Sequence, residues 1–326
     1  MECWENVRQN FLCADNFSNV FIKTRLLVYW QVSDELIYHG NFFFKPDELA
    51  EFLKKEPAAK KFIRPLLGSE EFINGKLRYC LWLVNATPKE LKSMPLVYER
   101  VKNVREFRLA SKKAGTRKLA DKPTLFAEIR QPTTDNYLLV PRVSSERRKY
   151  VPIGYVSSEI ICTDANQMVP NATLYDFGVI TSRVHMIWLK TVCGRLKSDY
   201  RYSKDVVYNN FVWKIPTNEQ KLAIEASARR ILEIRARYRN EELGTGNVVG
   251  NSKLVPSSQF LCSYAELYDE VLMPYELRLA HRANDLAVAK LYGWEEILDD
   301  EPKLAVELLK LYDQTRYISR KRSEQM

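Results

Sequence analysis

The sequence is poor in the residues that metal and covalent chemistry need. Its 326 residues include three histidines (His39, His185, His281) and six cysteines (Cys3, Cys13, Cys80, Cys162, Cys193, Cys262). No two cysteines form a Cys-x-x-Cys pair, and no cluster has zinc-ligand spacing. Thiols scattered in this way are expected to be buried and free, as in a reducing cytoplasm. No apolar stretch approaches the roughly 18 residues that span a bilayer. The N-terminus, MECWENVRQNF, lacks the basic start and apolar run of a secretory signal. The expectation is a cytoplasmic protein with no membrane partner. The glycine-rich stretch GTGNVVG (244–250) follows no apolar strand and opens no helix, which removes the context of a phosphate loop. There is no P-loop and no Gly-x-Ser-x-Gly elbow. Asp299-Asp300 reads as solvated charge or a helix start. His185, beside Met186 and Trp188, reads as a satisfied, partly buried side chain. Nothing here carries a reaction.

What is present describes a globular chain. It is 46% hydrophobic and 28% charged, enough for a sizeable core in one large domain or two moderate ones. Lys and Arg number 50 against 41 Asp and Glu, a formal net charge of +9. That excess is compatible with a polyanionic partner without requiring one.

Hydrophobic periodicity divides the chain. VFIK and RLLVYWQV, before residue 40, read as strands, and KPDELAEFLKKEPAAKKFIRPLLG as a helix that Pro57 ends. KLRYCLWLVNA (76–86) is strand-like, and 89–120 is helical. From 124 to 213 come short runs expected as strands: TLFAEI, NYLLVPRV, KYVPIGYV, EIICT and TLYDFGVI. TSRVHMIWLKTVCGRL (181–196) interrupts them with a helical period, Gly194 being its candidate C-cap. After Pro216 the pattern turns helical. Thr217 and Gln220 form a capping box, and helices are expected at 275–292 and 303–318, beyond a loop at 242–258. The fold class expected is α+β: a mixed or antiparallel sheet with flanking helices over 1–215, then a helical segment over 216–326.

Three stretches concentrate charge. In ERVKNVREFRLASKKAGTRK (99–118), Arg105, Arg108 and Lys112 follow helical spacing on one face. That face is either solvated surface or a phosphate rail that includes Lys112 and Arg117. In PRVSSERRKY (141–150), Ser144, Ser145, Arg147 and Arg148 offer hydroxyl and guanidinium donors, or make a polar hairpin turn. In GRLKSDYRYSKDVVYNNF (194–211), Arg195, Lys197, Asp199 and Arg201 alternate. As one extended strand they share a face, with Leu196, Ser198, Tyr200 and Tyr202 opposite. Such a strand is either an edge charged against aggregation or a reading edge for a polar partner.

Several long ordered stretches resemble the C-terminal half of MmeI-like (type IIL) restriction-modification enzymes, which are fused adenine-specific DNA methyltransferases. They are FIRPLLGSEEFINGKLRYCLWLV, VREFRLASKKAGTRKLADKP, FAEIRQP, YLLVPRVSSERRKYVPIGY and HMIWLKTVCGRLKSDYRYSKDVVYNNF, continuing more weakly into YAELYDEVLMPYELRLAHRANDLAVAKLYGW. The resemblance covers roughly residues 60 to 293 and implies a DNA target recognition domain followed by a helical C-terminal segment. In such enzymes the catalytic domain precedes this region, with an S-adenosylmethionine loop and an Asn-Pro-Pro-Tyr motif. This sequence has no Asn-Pro-Pro-Tyr, so the expectation is a recognition half: a separate subunit, a split gene or a truncated remnant. The cofactor would then belong to the associated catalytic domain or subunit.

The resemblance also implies site residues. The positions of Lys197 and Asp199 are specificity determinants in the family. Lys can donate to guanine O6 and N7 and Asp can accept from cytosine N4, which suits one G·C pair. Arg195, Arg201, Tyr202 and Ser203 are expected to contact phosphates or support the strand. Arg142, Ser144, Ser145, Arg147, Lys112 and Arg117 are further expected contacts to double-stranded DNA. Three rivals stand beside this reading. The chain is a poorly folding remnant, a module that docks to a methyltransferase or nuclease without touching DNA, or a single-strand or RNA binder using Tyr200 and Tyr202.

Overall fold

The computed structural model describes residues 40–239 and 262–324, with side chains to residue 317. The strands expected before residue 40, the loop at 242–258, Cys3, Cys13 and His39 lie outside these residues. Within them the fold is α+β. Helix α1 (Pro46–Lys55) begins with Pro46, whose fixed φ suits the first turn, and Asp47 and Glu48 complement the helix dipole there. A 3-10 turn at Pro57–Phe62 follows. Beyond the Pro57 at which the sequence ends the helix, the chain forms strand β2 (Ile63–Leu67). It pairs with β3 (Tyr79–Leu81), and β3 with β1 (Phe43–Phe44), both antiparallel. β7 (Ile161–Cys162) adds to β2 in parallel, so this sheet is mixed.

A second sheet places β4 (Asn136–Pro141) between β6 (Gly154–Ser157) and β8 (Asn166–Pro170), all antiparallel. Almost every β4 residue is buried. Two of the expected strands are not strands. TLFAEI forms none. TLYDFGVI is a helix (Leu174–Ile180), nucleated by a reciprocal cap: the Thr173 hydroxyl accepts from Asp176 N, and the Asp176 carboxylate accepts from Thr173 N. Every residue of that helix is buried, so its side chains show no amphipathic period to read. Its Gly178 is required by close packing, because a Cβ there would lie 2.6 Å from Ile224 Cγ2.

The C-terminal helices are Asn218–Arg239, Tyr264–Leu267, Tyr275–Tyr292 and Glu301–Glu324. The Thr217–Gln220 capping box forms as the sequence indicates, with reciprocal bonds of 3.0 and 3.2 Å. A small hydrophobic core joins Phe42, Phe44, Leu66, Leu81 and Val97. A larger one runs from Leu67 to Tyr312 and mixes residues of the second sheet with those of the C-terminal helices. Polar bonds cross the same boundary. Asn284 Nδ2 donates to Gly178 O at 2.8 Å, and Tyr150 donates to Asp285 at 2.6 Å. The cysteines among the described residues are free: Cys80, Cys162 and Cys193 are buried, and Cys262 is half-buried. No helix among the described residues is long and apolar enough to cross a membrane.

Candidate nucleic-acid interface

The stretch 194–201 is a hairpin rather than a single strand. Helix Arg183–Val192 is capped by Ser182 and ends at Cys193, whose extended backbone stops it one residue before the expected Gly194. Gly194 instead opens β9 (Gly194–Leu196), which pairs antiparallel with β10 (Asp199–Arg201) around a two-residue turn, Lys197-Ser198. Lys197 has φ +56, a left-handed conformation uncommon for a residue with a Cβ. The absence of Gly or Asn at this turn hid the hairpin from the sequence.

That turn overturns the expected single charged face. Paired residues share a face in an antiparallel ladder. Tyr200 is opposite Arg195 and Ser144, while Asp199 is opposite Leu196. Asp199 and Arg201 therefore share the outer face with Leu196, which is 53% exposed and not part of the buried side. Arg195 lies on the other face, its guanidinium 4.2 Å over the Tyr200 ring. Arg195 also donates to Ser198 O at 2.9 Å and lies 4.0 Å from Glu146. Lys197 stands at the tip.

The base of the hairpin is fastened on three sides. β5 (Val143–Ser144) adds to β10, and Tyr202 N donates to Arg142 O at 2.7 Å. The Tyr202 hydroxyl meets His185 Nε2 at 2.9 Å. Trp188 Nε1 donates at 2.8 Å to Val207 O, in the π-helical turn Lys204–Tyr208 that follows the hairpin. His185 is fully buried, and burial pushes its pKa down to about 3, so it is neutral. It holds the scaffold, and no geometry around it suits acid–base chemistry on a substrate. A rigid base with an exposed tip is the arrangement that recognition on loops requires.

The twelve expected site residues separate by what their side chains already hold. Lys197, Arg201, Arg147 and Lys112 are exposed and form no hydrogen bond or ion pair through their side chains among the described residues. Asp199 is half-buried, and its Oδ1 faces Glu146 N at 3.4 Å. Arg142 is turned inward and donates to Asp164 O at 2.8 Å. Arg117 is committed to Ser111 O and Lys112 O, both at 2.9 Å. Ser145 Oγ accepts from Arg147 N at 3.4 Å, and Ser203 O accepts from Val207 N. Ser144 and Tyr202, at 3% exposure each, are covered. Their burial makes them supports of the strand rather than surfaces for a ligand. Tyr200 is 6% exposed, so neither tyrosine presents a face on which a base stacks, which removes the basis of the single-strand reading.

The basic helical arm divides in the same way. Arg105, Arg108 and Lys112 do not form one rail, because Arg108 is completely buried. Its guanidinium donates to the carbonyls of Leu119, Lys122 and Leu125 at 2.9–3.0 Å and ties down the connection after helix Pro95–Leu109. Arg100 donates to Asn41 O and stacks on Phe44 and Phe52. Among the described residues no hydrogen bond or ion pair joins Lys112 or Arg117 to the hairpin. Nor does any group of three or more His, Cys, Asp or Glu among them have the arrangement of a metal site.

Comparison with known proteins identifies the family to which this fold belongs. The family described as MmeI, target recognition domain, matches residues 30–215, and that described as MmeI, C-terminal domain, matches residues 254–318. DNA methyltransferase A of Bacillus subtilis (strain 168) is 37% identical over 275 residues, 84% of this chain and 29% of that protein. The structure of the type IIL restriction-modification enzyme MmeI in complex with DNA superposes with a TM-score of 0.81 at 37% identity, over 91% of this chain and 36% of that one. The chain thus spans about a third of the length of the relatives it matches.

Proposed function

Because this chain belongs to the MmeI family of target recognition domains, we propose that it binds duplex DNA at a specific sequence through the 194–201 hairpin. Lys197 and Asp199 are the reading pair, and the target includes a G·C base pair. Lys197, at the tip, donates to guanine O6 and N7. Asp199, at the start of the returning strand, accepts from cytosine N4. A contact of this kind discriminates by about 1–3 kcal/mol. Arg201 and Arg147, both exposed and uncommitted, hold phosphates and set the register without reading sequence.

The observation that carries this reading is the contrast within one hairpin. Arg195 is exposed but tied over the Tyr200 ring and to Ser198 O, whereas Lys197 projects from a fastened base with no hydrogen bond or ion pair through its ammonium among the described residues. The bound duplex is positioned for an adenine-specific methyltransferase domain or subunit whose motifs this sequence does not contain. That partner binds S-adenosylmethionine and receives the adenine flipped out of the stack. The test is selection from a randomised duplex library at moderate salt, followed by sequencing of the bound fraction. An enriched motif with an invariant G·C pair is expected. A folded chain that enriches nothing, or enriches a motif without such a pair, would sink the proposal.

A further inference from the structure

Leu196 is the large hydrophobic side chain that the hairpin leaves in water. It ends β9 and is 53% exposed, whereas Tyr200 and Tyr202 are 6% and 3% exposed. It belongs to neither hydrophobic core among the described residues. A lone exposed leucine is ordinary on a protein surface, and this one is distinguished by its place. A strand edge that had only to stay soluble would carry a polar residue there, as Lys197, Asp199 and Arg201 do around it.

The ladder fixes what Leu196 stands beside. It is opposite Asp199, so the two side chains share the outer face, with Cβ atoms about 5 Å apart in such a pair. The next pair on that face is Arg201 with Gly194. Gly194 adds no side chain, and a Cβ there would meet nothing within 4 Å. The outer face is therefore open, and it offers one acceptor, one cation and one apolar group. Leucine can neither donate nor accept a hydrogen bond, so Leu196 has no means to read the polar edge of a base. The major groove of B-DNA admits a two-stranded ribbon, and the apolar group it presents is the C5-methyl of thymine. Neighbouring bases stack about 3.4 Å apart, so side chains about 5 Å apart across one ribbon can address adjacent base pairs.

We propose that Leu196 is a specificity-determining residue that packs on the C5-methyl of a thymine in the base pair next to the G·C pair. The hairpin then reads a two-base-pair step, with Lys197 and Asp199 at one pair and Leu196 at the next. This rests on the DNA-reading function proposed above and deepens it.

The test removes that one methyl group from the DNA. Library selection with the full chain is expected to return a thymine beside the invariant G·C pair. Equilibrium binding is then measured on the selected duplex and on the same duplex with deoxyuridine in place of that thymidine. The exchange is expected to weaken binding about three- to fourfold, the scale of one methyl group losing an apolar contact. Leu196→Ala is expected to bind the two duplexes equally, because the methyl and the leucine act as a pair. Its discrimination at the G·C pair is expected to stay intact, which a loss of folding would not allow. Leu196→Met keeps an apolar side chain of similar volume and is expected to keep the response to the methyl group. Equal binding of the two duplexes by the parent chain would overturn the proposal, as would a uracil penalty that Leu196→Ala retains. A gain on 5-methylation of the read cytosine, with no response to uracil, would put the methyl contact on the wrong pair and overturn it too. A motif with the G·C pair and no adjacent thymine would overturn it and leave the DNA-reading function standing. A folded parent chain that enriches nothing overturns that function as well, so the two failures are distinguishable.

Discussion

The basic arm at 95–118 and the hairpin at 194–201 carry similar densities of positive charge, and the fold uses them in opposite ways. In the arm, Arg108 disappears into the core to satisfy three carbonyls, Arg117 ties its own loop, and Arg100 covers two phenylalanines. Only cations such as Lys112 are left for a partner. In the hairpin and its continuation, Tyr200 and Tyr202 are buried, the exposed Arg195 is tied over the Tyr200 ring, and Lys197, Asp199 and Arg201 are left at the tip and on the outer face. Arginine is the ambiguous residue in both. Its planar fork serves a row of carbonyls as well as it serves a phosphate, and spacing along a helix does not say which. A charged tip on a buried, hydrogen-bonded base is a more specific signal than a charged face.

The largest expected effect tests the arm. Arg108→Met should destabilise the chain by about 3 kcal/mol or more in equilibrium denaturation, because three buried carbonyls lose a charged donor. A loss within about 0.5 kcal/mol would return Arg108 to the surface and restore the rail.

The next tests the buried support beneath the hairpin. Burial holds His185 at about 3 and His281 well below its ordinary value, so both stay neutral in the folded chain. Their stabilisation is complete above pH 6.5 and is lost as pH falls below it. Asp285 is pushed up to about 6 by burial, against its bonds from Tyr150 and Arg183 N, so its contribution has the opposite sign and is lost as pH rises through 6. Between about pH 4.5 and 6 the unfolded chain binds two more histidine protons, and the folded chain one more at Asp285. Stability should therefore fall by about 1.4 kcal/mol per unit as pH is lowered, and Asp285→Asn should steepen this toward about 2.7. Glu90, held at about 2 chiefly by Lys61 and then by Thr87, adds to the loss only below that window. Flat stability across the window would mean that the histidines are not buried.

A smaller effect has the reverse sign. Lys197→Gly should leave the fold intact or raise its stability by up to about 1 kcal/mol, because glycine adopts a positive φ without strain. It should also abolish discrimination at the pair that Lys197 reads. Loss of stability would contradict the strained turn. The smallest separates the two cations left in doubt on the arm. Lys112→Ala should lower the salt slope of DNA binding by about one if Lys112 meets a phosphate, while Arg117→Ala should leave the slope unchanged.

Much of the scaffold was legible in the sequence, because local rules acted alone there. The Thr217–Gln220 box, the helix at 275–292 and the strands at 136–141 and 154–157 are where periodicity and capping place them. Legibility failed where tertiary burial overrode the pattern. Helix Leu174–Ile180 is buried all round, and so reads as an apolar strand. The Lys197-Ser198 turn uses a strained lysine where glycine or asparagine would have marked it. Nothing along the chain separates Arg147 from Arg148, or Arg105 from Arg108. Only the fold decides which guanidinium meets water and which meets the core.

The central claim is that Lys197 and Asp199 read a base pair from a fixed hairpin. The measurement that tests it most directly is library selection with the chain carrying Lys197→Glu and Asp199→Arg together, beside the parent chain. The account predicts a folded protein, since Lys197 is exposed in the turn and Asp199 is the first residue of the returning strand beside it. Its selected motif should change at one base pair and match the parent elsewhere. An unchanged motif would contradict the claim.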